Sequence, residues 1–484
     1  MKQSILLWLG VLVTMTLLSY CKPTDPVPDT IVQREDTLTI DRLRAFSGTS
    51  VPSRIRITDA GSEGVFSLDA ADRSSVDNTG ITLVTSKGYR YKRDFTGPAN
   101  LFWFGVKPSD ADIGSALEKA IRATGDLMIP DGAYTQLTEV HLRSNLSVRG
   151  NPGKVTITLP QSYVSFVNAK DPTLPLENVL LDGLTWNVTS KQNGRYGVIY
   201  IDGPTIKNLT VQNCASADVA AKDSTNWLTV KIQAGKTGEN IRVLNNTVRA
   251  KRMACEIFNH DNYNVYAGKN IVVTGNTFYN CRFGLSLSGP LEQIRVDDNQ
   301  VKDCSLFGIE IAGAARSVSI TNNRFEGTFD KFLEGSNDGD GNGSVIGGMT
   351  ITNNSTVGVC TGGVQLLNAG AVTFSKNVFR MSGILELAHS TKGGTFTENT
   401  IESSSNKAVI CDNSPDNTFT NNTISNKSST ENQATFMAYG SRATNNVLTN
   451  NKLIKGNGGK PYDAVLGGSC QASLNYDETG TLIP

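Results

Sequence analysis

The stretch SVSITNNRFEG, Ser317–Gly327, sets two adjacent asparagines directly after the alternating apolar pair Val318 and Ile320. Asparagine is a poor strand former, so its place there needs a reason. The same line recurs along the chain. "IRVLNNTV", "IVVTGNTF", "IRVDDNQV", "VSITNNRF", "MTITNNST", "VTFSKNVF", "GTFTENTI", "NTFTNNTI" and "NVLTNNKL" share an apolar, x, apolar, x, x, Asn pattern. Their asparagines are Asn246, Asn276, Asn299, Asn323, Asn354, Asn377, Asn399, Asn422 and Asn451, at intervals of 30, 23, 24, 31, 23, 22, 23 and 29 residues. A base of 22 to 24 residues with occasional additions reads as one coil per repeat, with loops inserted where the interval lengthens.

Two solenoids carry such a line. A leucine-rich repeat needs leucine at most inward positions and often a helix or 3₁₀ segment in its second half. Here the inward positions are mainly Val, Ile and Phe, and the second halves read "FGLSLSG", "FGIEIAG" and "TGGVQLLN". Those are short alternating strands introduced by glycine. Several strands per coil predict an all-β, right-handed parallel β-helix. The asparagines then sit at corners, where Asn tolerates the left-handed conformation and its amide can bond the turn backbone. Stacked at coil spacing, the amides can also bond each other along the axis.

Forty-five acidic residues balance forty-five basic ones in 484, so no global field draws the protein to nucleic acid. Lys2, the apolar run from Ile5 to Leu18 and "LSYCKPTDPVPD" have signal-peptide anatomy. Leu18, Ser19 and Cys21 resemble a bacterial lipobox, which makes Cys21 the expected lipidation site and an outer-membrane lipid anchor the expected partner. The expected organisation is a signal peptide at 1–20, a tether at 21–45, a small β head at 46–105, a β-helix at 106–460 with a capping helix at 110–124, and a C-terminal cap at 461–484. The seven cysteines after Cys21 include no CxxC pair, so they read as buried thiols rather than a zinc site or disulfide framework. Cys281 and Cys304 each follow a repeat asparagine by five residues and are expected to stack as neighbours.

"SDADIGSALEKAIRATG" places Ile113, Leu117, Ala120 and Ile121 at helical spacing, with Asp110 or Asp112 available as N-cap. Such a helix would cover an otherwise open first coil. Upstream and downstream lie "RIRITDAGSEGVFSLDAADRSSVDNTGITLV", "GYRYKRDFTGPANLFWFGVKP" and "LMIPDGAY". In these segments the chain resembles the pectate-lyase-like superfamily, in particular tailspike-like and glycan-degrading β-helix proteins. Trp103, Phe104 and Gly105 match the family's turn into the helix, and Pro130, Gly132 and Tyr134 match its coil entry. The resemblance implies a right-handed β-helix acting on acidic or complex polysaccharides. No family active-site motif is intact, so it carries over no catalytic residue. A homotrimeric assembly is a further expectation.

Along a strand, outward residues of successive coils form columns. Counting from the asparagines places Glu256, Ser286, Glu310, Glu334, Gln365 and Glu386 at nearly one position, with Lys231 and Tyr200 extending the column upstream. Coils about 4.8 Å apart would put Glu310 and Glu334 roughly 5 Å apart, and Glu256 and Glu310 roughly 9 to 10 Å apart. Retaining glycosidases hold their carboxyls about 5 to 5.5 Å apart and inverting ones about 6.5 to 9.5 Å. A lyase would instead need a cation beside a uronate carboxyl and a base, and Lys231, Arg252, Arg282 and His260 fall in the same coils. Glu256, Glu310, Glu334, Lys231, Arg282 and His260 are the catalytic candidates, with Tyr200, Ser286, Gln365 and Glu386 as substrate-binding ones.

"NDGDGNGS" sets Asp338, Asp340 and Asn342 before Gly343, as at the front of a Ca2+ loop, but Met349 stands where a glutamate would close it. A glycine-rich turn is the competing reading. The chain therefore reads as an extracytoplasmic polysaccharide lyase or glycoside hydrolase, with a non-catalytic glycan-binding or adhesive surface protein as the alternative.

Overall fold

The computed structural model describes residues 30–161, 164–189, 197–218, 225–259, 266–336, 346–429, 434–457, 459–463 and 470–483. Two compact units divide between Asp94 and Phe95. The first is a five-stranded sheet in which Thr30–Leu38, Ser50–Ile57, Gly64–Leu68, Arg90–Arg93 and Thr82–Val84 lie side by side. Its core gathers Ile40 and Leu43 of the short helix Ile40–Arg44 with Val51, Ile55, Phe66 and Tyr91. Residues from Thr30 onward thus belong to the head and not to a tether. The strand Thr30–Leu38 lies at the sheet edge and exposes most of its residues, so it lacks the alternation that marks a strand in sequence. Pairing with Ser50–Ile57 and a Glu35–Arg56 ion pair hold it.

The second unit is a parallel β-helix. Helix Gly114–Ala123 buries Leu117, Ala120 and Ile121, starting four residues later than the expected 110. Asp112 explains the delay: its Oδ1 accepts from Gly114 N (2.8 Å) and Leu137 N (2.9 Å), which ties the chain before the helix to the next turn. The strands then stack in parallel and in register, one sheet of 13 strands receiving one strand per coil and a longer sheet covering the remaining faces. Among the described residues of the coils no helix follows Gly114–Ala123, which excludes the leucine-rich alternative. Inside, Phe374, Phe396 and Phe419 occupy one register position, and the rings of Phe396 and Phe419 lie 4.5 Å apart and nearly parallel. Stacking continues past the expected end at 460, since Lys460–Asp463 and Gln471–Ser473 still pair with the preceding coil. The described cysteines are free, and Cys281 and Cys304 are buried, with Cys281 Sγ donating to Tyr279 O at 3.4 Å and Cys304 Sγ to Lys302 O at 3.7 Å.

The repeated asparagines form a buried ladder. Asn323 is fully buried; its N and Nδ2 both donate to Asn354 Oδ1 at 2.9 Å, and its Nδ2 also reaches Val296 O and Thr321 O. The same contacts link Asn246, Asn276, Asn299, Asn323, Asn354, Asn377, Asn399, Asn422, Asn451 and, as an added rung, Asn475. Cys214 takes the place before Asn246 and donates its backbone N to Asn246 Oδ1.

The left-handed turn belongs to the residue before each rung. Asn322 has φ 58°, and the equivalent Asn245, Asp298, Asn353, Asn421 and Asn450 are also left-handed. In the pair Asn322–Asn323 the first residue makes the turn at the surface and the second fills the interior. Replacing Asn323 with Ala leaves the N and Nδ2 of Asn299 without their shared acceptor. The expected cost is about 3 kcal/mol: the backbone N of Asn299 becomes a buried donor without an acceptor, while its Nδ2 keeps Val273 O and Asp297 O. Asn322→Gly should cost less, about 1 kcal/mol, because glycine accepts the same turn and only the surface bonds of Asn322 to Asp297 and Asn353 are lost. Chemical denaturation midpoints of the two variants check the contrast.

Candidate functional site

One outward column crosses the solenoid. Register pairs run His141, Val167, Tyr200, Thr229, Glu256, Ser286, Glu310, Glu334, Gln365, Glu386 and Ile410. Seven residues singled out in sequence therefore share one line. Lys231 does not: it stands two residues farther along its strand, level with Asp202 and Phe258, and Thr229 holds the column position. No asparagine anchors the count in that coil, because Cys214 occupies the ladder there.

Glu256 is half-buried against a shell of neutral donors. Its Oε2 accepts from Asn226 Nδ2 at 2.8 Å and from Thr229 Oγ1 at 3.1 Å, and Asn226 Nδ2 also bonds Thr229 Oγ1. Asn226 and Thr229 are buried, so this edge of the carboxyl is fixed from inside the coil wall. Burial pushes the Glu256 carboxyl above its ordinary value, and the Thr229 bond, the Arg252 charge and the Asn226 bond pull it back in part. Glu310, two strands along, accepts from the buried Ser286 hydroxyl at Oε2. Its carboxyl is also raised, first by burial and further by the Glu256 charge, with the Ser286 bond opposing. Ser286 thus stands between two carboxyls that feel each other. Farther along, Gln365 Nε2 donates to Glu386 Oε2 at 2.6 Å.

A second cluster flanks the column. Lys231 Nζ lies 3.0 Å from Asp202 Oδ2, which also accepts from Tyr200 OH at 2.9 Å, while Gln233 Nε2 donates to Asp202 Oδ1 at 2.6 Å. Burial opposes the Asp202 charge, but these bonds outweigh it and hold the carboxyl below its ordinary value. The Lys231 charge is accordingly committed to Asp202. Arg282 is exposed at the neighbouring turn with its guanidinium 5.9 Å from the Phe283 ring centroid. His260, Asp338, Asp340, Asn342 and Cys21 lie outside the described residues. Among the described residues no group of three His, Cys, Asp or Glu is placed to hold a metal ion.

Sequence reasoning missed Asn226, Thr229 and Asp202. Thr229 and Asp202 carry the period-two signal in "NWLTVKIQ" and "VIYID", but Asn226 shows its role only through the fold.

The profile described as "Right handed beta helix region" matches residues 193–379 and 338–476. A second, "Phage tail protein small four-stranded beta-sheet domain", matches residues 37–96. No protein of curated function matches the chain in sequence. Among solved structures, PfbA, a surface adhesin of Streptococcus pneumoniae, is similar with a TM-score of 0.51 and 15% identity over 67% of this chain and 90% of that one. A double-mutant tailspike protein of E. coli bacteriophage HK620 gives 0.47 and 12% over 83% and 84%. The A-module of the Azotobacter vinelandii mannuronan C-5 epimerase AlgE6 gives 0.43 and 14% over 78% and 98%. At these identities the likeness is one of fold.

The electrostatic coupling can be measured directly. Glu256→Gln removes a negative charge and should lower the Glu310 carboxyl pKa, whereas Ser286→Ala removes a stabilising donor and should raise it. Carboxyl-resolved NMR or infrared titration of the two variants distinguishes the directions.

Proposed function

The chain belongs to the right-handed β-helix family, and on that premise we propose that it cleaves a polysaccharide by hydrolysis on the face bearing Glu256 and Glu310. The observation that carries this reading is the pair itself: two half-buried carboxyls, both pushed upward, separated by Ser286. Two strand spacings put them about 9 to 10 Å apart at the backbone, close to the window in which a water fits beside the scissile bond. Glu310 is the general acid, because one hydroxyl and a neighbouring negative charge leave its protonated form favoured. Glu256, with two donors on Oε2 and Arg252 nearby, is the general base.

In that reaction Glu310 gives its proton to the glycosidic oxygen as the bond to the anomeric carbon breaks. Glu256 takes a proton from the water whose oxygen forms the new bond, with inversion. A lyase would need a free cation beside the uronate; Lys231 is committed to Asp202, which leaves that role to Arg252 or Arg282 in the same coils. We further propose that helix Gly114–Ala123 closes the first coil and that Cys21 carries a lipid anchor at the cell envelope. Cys21→Ser should abolish incorporation of a clickable palmitate analogue during expression.

Incubation with a panel of acidic and neutral glycans tests the main reading. New reducing ends without the ultraviolet absorbance of an unsaturated uronate are expected, and Glu310→Gln should lower the rate by about 10²- to 10⁴-fold. Glycan binding without turnover would identify a binding module instead.

A further inference from the structure

A cavity of about 340 Å³ opens on the same unit, beside the C-terminal end of helix Gly114–Ala123, with Arg122, His141, Arg143, Lys170, Asp171 and Leu174 among its lining residues. His141 is the first residue of the glutamate column, four strand spacings before Glu256. At about 4.8 Å per spacing the cavity lies roughly 19 Å up the same face. A glycan lying along the solenoid axis over the two glutamates would reach it several sugars away.

The cations in this cavity differ in what they are free to do. Arg143 closes the helix end, donating Nε to Ile121 O and Nη2 to Thr124 O, each at 2.7 Å. Arg122 donates to Glu118 Oε1, and His141 Nδ1 lies 3.2 Å from Glu118 Oε2, which fixes the imidazole edge. Burial opposes the Glu118 charge, but the bonds from Arg122 and His141 outweigh it and keep the carboxyl ionised. Lys170 is exposed and has no ion-pair partner among the described residues. Asp171 turns its Oδ1 to Thr173 N and Oγ1. Of the lining cations Arg122 and Arg143 are thus committed, Lys170 is not, and the lining carboxylate Asp171 is already bonded. Leu174, 53% exposed, presents an apolar wall beside them.

We propose that this cavity is a subsite for a carboxylated sugar residue of the glycan. Lys170 meets the carboxylate and Leu174 takes the apolar face of the ring. The assignment rests on the proposed course of the glycan along this face, and it names the substrate as an acidic polysaccharide. A neutral sugar would leave Lys170 unanswered, and a bare inorganic anion would leave Leu174 in water.

Isothermal titration of the full chain with trigalacturonate, its methyl ester and inorganic phosphate tests the assignment. The Glu310→Gln background removes turnover without touching the cavity. The expected result is binding of the free acid alone, weakened about tenfold by Lys170→Ala, the weight of one charge-assisted hydrogen bond. Leu174→Ser should weaken it too, with circular dichroism confirming the fold of both variants. Equal binding of acid and ester, or affinity unchanged in Lys170→Ala, overturns the proposal. Displacement by equimolar phosphate overturns it as well, leaving a general anion site. Loss of the subsite leaves cleavage of short oligosaccharides intact, whereas full activity in Glu310→Gln refutes the hydrolytic reading while cavity binding persists.

Discussion

The buried amide ladder is the constraint on which the rest depends. An amide inside a β-helix has no water to fall back on, so each rung must find its partners in the coils on either side. Asn323 does so with its own backbone N, its Nδ2, two carbonyls and the next asparagine. Such a set of bonds is satisfied at one height and one rotation per coil. A slip by one residue in any strand would turn its outward residues inward. The ladder therefore fixes the register of the strands that follow it in each coil, and with it the separation of Glu256 and Glu310.

That fixed geometry also sets the electrostatics. Glu256 and Glu310 project from a wall whose inner side is hydrocarbon, and whose hydrogen-bonding groups at the carboxyls are buried neutral donors, the Arg252 charge adding to them at Glu256. Neutral donors hold a carboxyl in place without forcing it to ionise, whereas a cation would. Asp202 shows the contrast two strands before Glu256 and two residues off the column, where Lys231 helps to keep the carboxyl charged. Both environments come from the same alternation of inward and outward residues. They differ only in which side chain stands next in register.

Much of this was legible in sequence because it repeats. The asparagine intervals disclose the coils, and counting from them finds Glu256, Ser286, Glu310, Glu334, Gln365 and Glu386 on one line. Reading failed where the repeat is interrupted or its parts share a residue type. Lys231 was displaced because Cys214 removes the local anchor. The left-handed turn was assigned to the rung itself because both residues of "NN" are asparagine, although "KN" and "EN" repeats make the turn with Lys376 and Glu398. Asn475 went unseen behind Leu474. The edge strand Thr30–Leu38 carries too few buried residues to announce itself.

The ladder also has a direction. Each rung sends its backbone hydrogen and one amide hydrogen toward the higher-numbered coil and offers its oxygen to the lower-numbered one, whose strand carbonyl takes the other amide hydrogen. The rungs are therefore aligned dipoles, and the two ends of the solenoid are not chemically equivalent. Shortening the array from the C-terminal side bares hydrogens that had shared an acceptor, while shortening it from the other side bares the amide oxygen and the amide hydrogen that the lost strand carbonyl had taken. A nascent chain meets the same asymmetry. Every newly made coil supplies the acceptor that the previous coil already awaits, so growth in the direction of synthesis completes bonds rather than opening them.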